Sequence, residues 1–259
     1  NFESANLRKT NLSGANLSGA NFSNAYLRET NLNESNLTGA IFTTANLKGA
    51  NLKGANVTGV KFDDAKLCNT TMPDGSVILT EIATGQITRI WPDGRKDVVA
   101  RPGGGPNGLA IGPDGKLYCT NNGGFNWNES NGMRAPHGIA DDYSGGRIER
   151  IDIDTGKVEV LYKSGDFGCV LRGPNDIVFD AHGGFWFTDH GKMDYAQRCH
   201  DIVGIFYGKT DGSHLEEVIF PSNNPNGVGL SPAGKRLYAA ETYTCRLMAF
   251  NVVAPGKVD

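Results

Sequence analysis

A five-residue period runs without a slip through the first quarter of the chain, and neither a helix nor a strand can satisfy it. The pentads NFESA, NLRKT, NLSGA, NLSGA and NFSNA open the sequence, and fourteen such units reach residue 70. A helix repeats its faces every 3.6 residues and a strand every 2.0, so a period of five asks for a chain that turns a corner once per pentad. The bulky residue stands at Phe2, Leu7, Leu12, Leu17 and Phe22, each of the later ones two places after a small residue such as Ala5, Thr10, Ala15 or Ala20. Each side of the coil thus sends one large and one small side chain inward. A second period sits on top of the first: phenylalanines recur every twenty residues, at Phe2, Phe22, Phe42 and Phe62. Four pentads then make one square coil, and the rings form a ladder on one side. Coils paired through their backbones at about 4.8 Å give a rod of roughly 17 Å.

This motif closely resembles that of the pentapeptide-repeat family, A-(N/D)-L-x-x. The resemblance implies a right-handed quadrilateral β-helix over residues 1–70. Some members of that family mimic acidic DNA. Residues 1–66 instead carry seven basic side chains (Arg8, Lys9, Arg28, Lys48, Lys53, Lys61, Lys66) against five acidic ones (Glu3, Glu29, Glu34, Asp63, Asp64), a net of +2. That charge argues against mimicry and leaves a solvated rod, or an interaction arm open to a protein partner. Eight Asn-x-Ser/Thr triplets begin between Asn11 and Asn128, and six of them arise from the repeat itself, so they read as by-products rather than glycosylation sites.

Composition narrows the function classes. A net charge of −3 and a pI near 6.0 give no whole-chain reason to expect a nucleic-acid partner. No apolar run approaches the roughly 18 residues of a membrane helix, so no membrane span is expected. With 39% hydrophobic residues the chain can bury a core. Its five scattered cysteines, without CxxC or Cys/His ligand spacing, read as buried free thiols. The chain opens on Asn1 in mid-repeat, so a signal peptide is neither found nor excluded.

From residue 72 the texture changes to alternating apolar strands separated by Asp-Gly and Gly-Gly turns. Three stretches align without a gap over nine residues: NGLAIGPDG from Asn107, NDIVFDAHG from Asn175 and NGVGLSPAG from Asn226. In each, a proline precedes the asparagine, apolar residues follow at +2 and +4, and a turn glycine closes the strand at +8. An aromatic strand around Tyr118, Trp186 or Tyr238 returns, and later hairpins at 147–162 and 204–220 complete four strands per unit. Such units point to a β-propeller over residues 71–259. The fold class expected is therefore all-β, a β-helix followed by an incomplete propeller of the six-bladed type with about three and a half to four blades. Strand direction places the long loops, 120–145 and 189–203, on the face where the asparagines begin.

Asparagine at a strand start is ordinary Pro-Asn-Gly turn chemistry. Three of them aimed from different blades at one axis also suit a hard cation, since calcium takes six to eight oxygen ligands. These same stretches resemble the senescence-marker-protein/gluconolactonase family of six-bladed propellers, carried by GPNGLAIGPDGKLYCTNNGGF, LRGPNDIVFDAHGGFWFTD and PNGVGLSPAGKRLYAAET. The resemblance implies one divalent cation, calcium first among the choices, with Asn175 and Asn226 as metal ligands. Asn107, Asp176 and Asp189 would contact substrate. The implied activity is hydrolysis of a sugar lactone or related ester, with the cation polarising the ring carbonyl.

Two departures stand beside the match. Counting back eight residues from Gly75 lands on Leu67 where the family places a metal-binding Glu, and the first inner strand is absent. The chain also stops at Asp259, before a later blade could supply the family's Asp. Impaired catalysis is the expectation, and a non-catalytic interaction or scaffold protein is the alternative. Other chemistry finds no pattern: the five histidines lack HxH or HExxH spacing, and the Gly-rich run at 101–105 lacks the Lys-Ser/Thr of a phosphate loop.

Overall fold

The computed structural model describes residues 1–62, 65, 70–91, 93–194, 199–231 and 233–259. Leu67 and Cys68 lie outside the described residues.

The pentads wind as a β-helix of four sides. Parallel bridges join positions twenty residues apart, such as Asn6 to Tyr26, Asn11 to Asn31 and Asn16 to Asn36. Backbone bonds run coil to coil, for example from the Leu12 N–H to the Asn31 carbonyl at 2.8 Å. The fourth residue of each pentad up to residue 60 turns at positive φ, 67° at Gly39 and 58° at Lys9, which is why glycine recurs there. The axis is filled by Leu27, Leu32, Leu37, Phe42 and Leu47, all at 0% exposure. The predicted phenylalanine ladder is present: Phe2, Phe22, Phe42 and Phe62 stack with centroids 4.9, 4.7 and 5.4 Å apart. Offset-stacked rings at this separation add to the burial energy.

The asparagines that create the Asn-x-Ser/Thr triplets have a structural use. The side-chain carbonyl of Asn11 accepts the Ser13 N–H at 3.1 Å, and Asn36 does the same for Thr38 at 3.1 Å. Each asparagine thus closes its own corner, an Asx turn repeated along the rod.

Four antiparallel sheets follow. The first has three strands, β1 (Val77–Glu81), β2 (Gln86–Ile90) and β3 (Lys96–Ala100). The second begins with β4 (Pro106–Ile111) and β5 (Leu117–Asn121), is interrupted by a hairpin of β6 (Phe125–Ser130) and β7 (Met133–Ile139), and ends with β8 (Arg147–Ile151) and β9 (Val158–Lys163). The third repeats this plan with β10 (Pro174–Phe179) and β11 (Gly184–Asp189), a short hairpin of β12 (Met193–Asp194) and β13 (Cys199–His200), then β14 (Val203–Lys209) and β15 (Leu215–Ser222). The fourth is β16 (Pro225–Leu230), β17 (Arg236–Glu241), β18 (Arg246–Ala254) and β19 (Lys257–Val258). The two loops expected to carry function are therefore partly hairpins.

Matching turns identify what the first sheet lacks. Thr84 donates to Glu81 after β1 at 3.1 Å, and Thr244 donates to Glu241 after β17 at 2.7 Å. By that equivalence β1, β2 and β3 are the second, third and fourth strands of a unit, and no inner strand precedes them among the described residues. The aromatic return strands form the core between sheets, with Tyr118, Phe185, Trp186 and Phe187 at 0% exposure. Cys119 and Cys169 are buried as expected, whereas Cys199 and Cys245 are exposed, a correction to the uniform buried-thiol reading. Cys199 opens the short strand β13 and Cys245 sits in the turn before β18, and both face solvent.

Candidate functional site

The inner strands β4, β10 and β16 stand side by side, each starting with Pro-Asn. One bond repeats at each junction. The Thr80 hydroxyl donates to the Asn107 carbonyl at 2.7 Å, Thr120 to the Asn175 carbonyl at 2.6 Å, and Thr188 to the Asn226 carbonyl. Each threonine sits one residue before the end of a second strand and reaches the asparagine that opens the next sheet. The stitch uses the asparagine's backbone and leaves its side chain unused. Among the described residues no hydrogen bond involves the carboxamide of Asn107, Asn175 or Asn226.

Those three asparagines and Asp176 line one cavity of about 390 Å³. Its remaining wall runs along Val77–Thr80 and Leu109–Ile111, so it occupies the space that an inner strand of the first sheet would fill. The far wall comes from Thr70 and Met72, at the end of the β-helix. Gly108 keeps the strands close here, since a Cβ at this position would lie 2.5 Å from the Asn175 carbonyl oxygen.

Asp176 is the single carboxylate in the lining. Its oxygens accept the Ile177 N–H and the Val228 N–H, both at 2.9 Å. Burial raises its carboxyl above the ordinary carboxylate range; the two N–H groups and the distant ammonium of Lys48 oppose that rise without cancelling it. A carboxyl whose protonated form is favoured by burial is suited to exchange a proton with a bound molecule.

Asp189 lies elsewhere. It is fully buried and absent from the cavity lining, and its carboxylate accepts the N–H groups of Arg172, Gly173 and Gly191 at 2.7 to 2.8 Å. Burial still pushes its carboxyl up to about 6. The corresponding positions in the neighbouring sheets do the same work: Asn121 accepts the Gly105 N–H, and Glu241 accepts the Asn223 N–H, each at 2.9 Å. The structure thus uses the Asp189 carboxylate to hold a loop, apart from the cavity that Asn107, Asn175, Asp176 and Asn226 line. A signal for this was present, because a polar acceptor follows each of the threonines Thr80, Thr120 and Thr188 in sequence.

The two long loops are tied together on the asparagine side. Lys192 is 3% exposed, and its ammonium donates to the Asn122 side chain at 3.2 Å and to the Gly124 carbonyl at 2.8 Å, above the Phe125 ring at 3.7 Å. Burial lowers its pKa to about 7. Arg172 pairs with Asp201 at 3.0 Å across the same region.

The donor chemistry of the cavity suits a hard cation: three carboxamides and one carboxylate, with neither thiol nor imidazole in the lining and Met72 contributing a weakly donating thioether. Negative charge for such an ion comes from Asp176 alone, and no cluster of three His, Cys, Asp or Glu side chains able to hold a metal occurs among the described residues. The Glu expected in place of Leu67 belongs to a position outside the described residues.

Comparison with known proteins bears on the same segments. A family model for the SMP-30/gluconolactonase/LRE-like region matches residues 68–259, and one for pentapeptide repeats matches residues 5–43 and 35–72, with eight copies. A gluconolactonase of Zymomonas mobilis is 26% identical over 191 residues, covering 65% of this chain and 46% of the relative. Lactonase drp35 of Staphylococcus haemolyticus is 30% identical over 177 residues, covering 67% of this chain and 47% of the relative. The chain spans about half the length of the curated relatives it matches. Among solved structures, a gluconolactonase of Xanthomonas campestris superposes with a TM-score of 0.53 at 21% identity, over 71% of this chain and 56% of that one, and shows the propeller fold.

Proposed function

The chain belongs to the SMP-30/gluconolactonase/LRE-like family, and from that premise we propose that its asparagine-lined cavity binds a divalent cation, calcium first, and a sugar lactone, which it hydrolyses. The observation that supports this reading is the set of three carboxamides, from three successive sheets, left without hydrogen bonds around one raised carboxyl. Asn175 and Asn226 would hold the cation, with Asn107 and Asp176 beside the substrate. When bound, the cation supplies polarisation of the lactone carbonyl and stabilises the oxyanion. Asp176 takes a proton from the attacking water as the new C–O bond forms. It returns that proton to the ring oxygen as the ring C–O bond breaks, giving the open hydroxy acid.

A single carboxylate gives a cation little charge, so weak calcium binding and slow turnover follow. The same observation favours a second reading, in which the cavity binds without turning over and the molecule serves as an interaction module. Proton release from glucono-δ-lactone separates the two. Lactonase action requires release that is lost with EDTA, restored by calcium and abolished in Asn226→Ala. Turnover indifferent to chelation would remove the cation from the account, and no turnover at saturating calcium would leave the binding module.

A further inference from the structure

β1 is the second strand of its unit, and its inner edge is open. In the other sheets the second strand lies between two partners: β5 between β4 and β8, β11 between β10 and β14, β17 between β16 and β18. Among the described residues β1 pairs with β2 alone. Its exposure follows from this: β5 and β11 are buried at every residue, whereas β1 is only half-buried at every residue. A strand edge without a partner presents a row of backbone N–H and C=O groups with which another chain can pair.

The cavity runs along that edge. Residues 77–80 line one side and residues 107–111 the other, so the space is a slot along two strands rather than a pit at their ends. A hydroxyl in the slot is half used. Thr120 donates to the Asn175 carbonyl and accepts the Gly108 N–H of its own inner strand at 2.8 Å; Thr188 donates to the Asn226 carbonyl and accepts the Asp176 N–H at 3.1 Å. Thr80 makes the same donation, to the Asn107 carbonyl, and accepts from no N–H among the described residues. The N–H that serves Thr120 and Thr188 comes from the residue after an inner-strand asparagine.

We propose that the open edge of β1 receives an extended peptide from another molecule, which completes the first sheet as β4, β10 and β16 complete theirs. Strand addition of this kind draws affinity from main-chain hydrogen bonds and specificity from alternate side chains. The complete sheets supply the register. Leu109 pairs with Cys119 and Ile111 with Leu117; Val228 pairs with Ala239 and Leu230 with Leu237. Leu79 precedes Thr80 as Cys119 precedes Thr120, so Leu79 and Val77 hold the matching places in β1. The bound strand runs antiparallel to β1, with apolar side chains two and four places after its asparagine opposite Leu79 and Val77. The residue after that asparagine gives its N–H to Thr80. Asp176 is the single charged side chain in the lining, so an uncharged peptide fits the slot. The inference rests on β1 and Thr80, and holds whether or not the carboxamides take a cation.

Fluorescence anisotropy of a labelled peptide copying residues 105–112 (GPNGLAIG), titrated with the full chain, tests this. Saturable binding with a Kd below about 1 mM is expected. N-methylation at the glycine that copies Gly108 removes the N–H meant for Thr80 and should weaken binding about three- to tenfold, the weight of one hydrogen bond. The same modification at the last glycine, beyond the strand, should change nothing. Thr80→Val should weaken the unmodified peptide by a similar factor and cost the Gly108-methylated peptide nothing more, because the two changes remove one and the same bond. Absence of saturable binding up to that concentration overturns the proposal, as does an equal loss from the two N-methylations. Dimers of the unaltered chain that exclude the peptide also overturn it, and assign the edge to a second copy.

Discussion

The β-helix and the sheets both stack repeats, and both place an asparagine at one recurring point, the head of most pentads and the head of the last three sheets. They use it in opposite ways. In the rod, Asn11 and Asn36 turn their side-chain carbonyls onto the backbone two residues ahead, and Asn31 also donates to Asn11 in the coil below at 3.1 Å. In the sheets, a threonine hydroxyl from the preceding unit takes over the structural bond, and the carboxamides of Asn107, Asn175 and Asn226 remain available in a cavity. A repeated polar side chain is therefore left open to a ligand only when something else holds the backbone beside it.

This contrast can be broken by substitution. The largest effect should come from the rod's axis. Phe42→Ala removes a ring stacked on both faces and should cost about 3–5 kcal/mol in chemical denaturation. A loss below about 1 kcal/mol would mean that the coils are not held by their ladder.

Next is the pH dependence set by Lys192. Its folded pKa, near 7, lies below the ordinary lysine value of 10.5, so the unfolded chain binds the proton more tightly between those values. Stability should rise with pH through that window, by on the order of a few kcal/mol, and Lys192→Met should flatten the rise. Identical pH profiles for the two proteins would contradict the burial of the ammonium.

Asp189→Ala leaves three buried N–H groups without their acceptor and should lower stability by about 2–4 kcal/mol. Calcium titration of the folded variant should be unchanged, since Asp189 is a clamp. Thr188→Val removes one stitch to the Asn226 carbonyl and should cost about 1 kcal/mol while freeing that strand start to move. At the small end, the exposed Lys9–Glu29 pair at 3.5 Å should contribute less than about 0.5 kcal/mol when Lys9 becomes alanine.

The rod was legible almost to the residue, because a period of five with no insertion leaves one way to turn the chain. The phenylalanine ladder followed from spacing alone. The asparagine-led strands were equally plain, and the structure brings Asn107, Asn175, Asp176 and Asn226 to one cavity. The loop-holding bonds of Asp189 were less legible, because its carboxylate accepts from loop backbone folded against it, a contact that strand alternation does not reveal. The hairpins β6–β7 and β12–β13 were hidden for a similar reason: their residues, among them Asn126, Glu129 and His200, do not alternate as a half-buried strand does. Thr70 and Met72 could not be read at all, since their place in the cavity wall depends on how the rod lies against the sheets.

The claim on which the rest depends is that the unused carboxamides form a cation site. A crystal of the full chain soaked in millimolar lanthanide and measured for anomalous scattering tests it directly. The account predicts a peak between the side-chain oxygens of Asn175 and Asn226, lost in crystals of Asn226→Ala. Peaks confined to surface carboxylates, with none in the cavity, would contradict it.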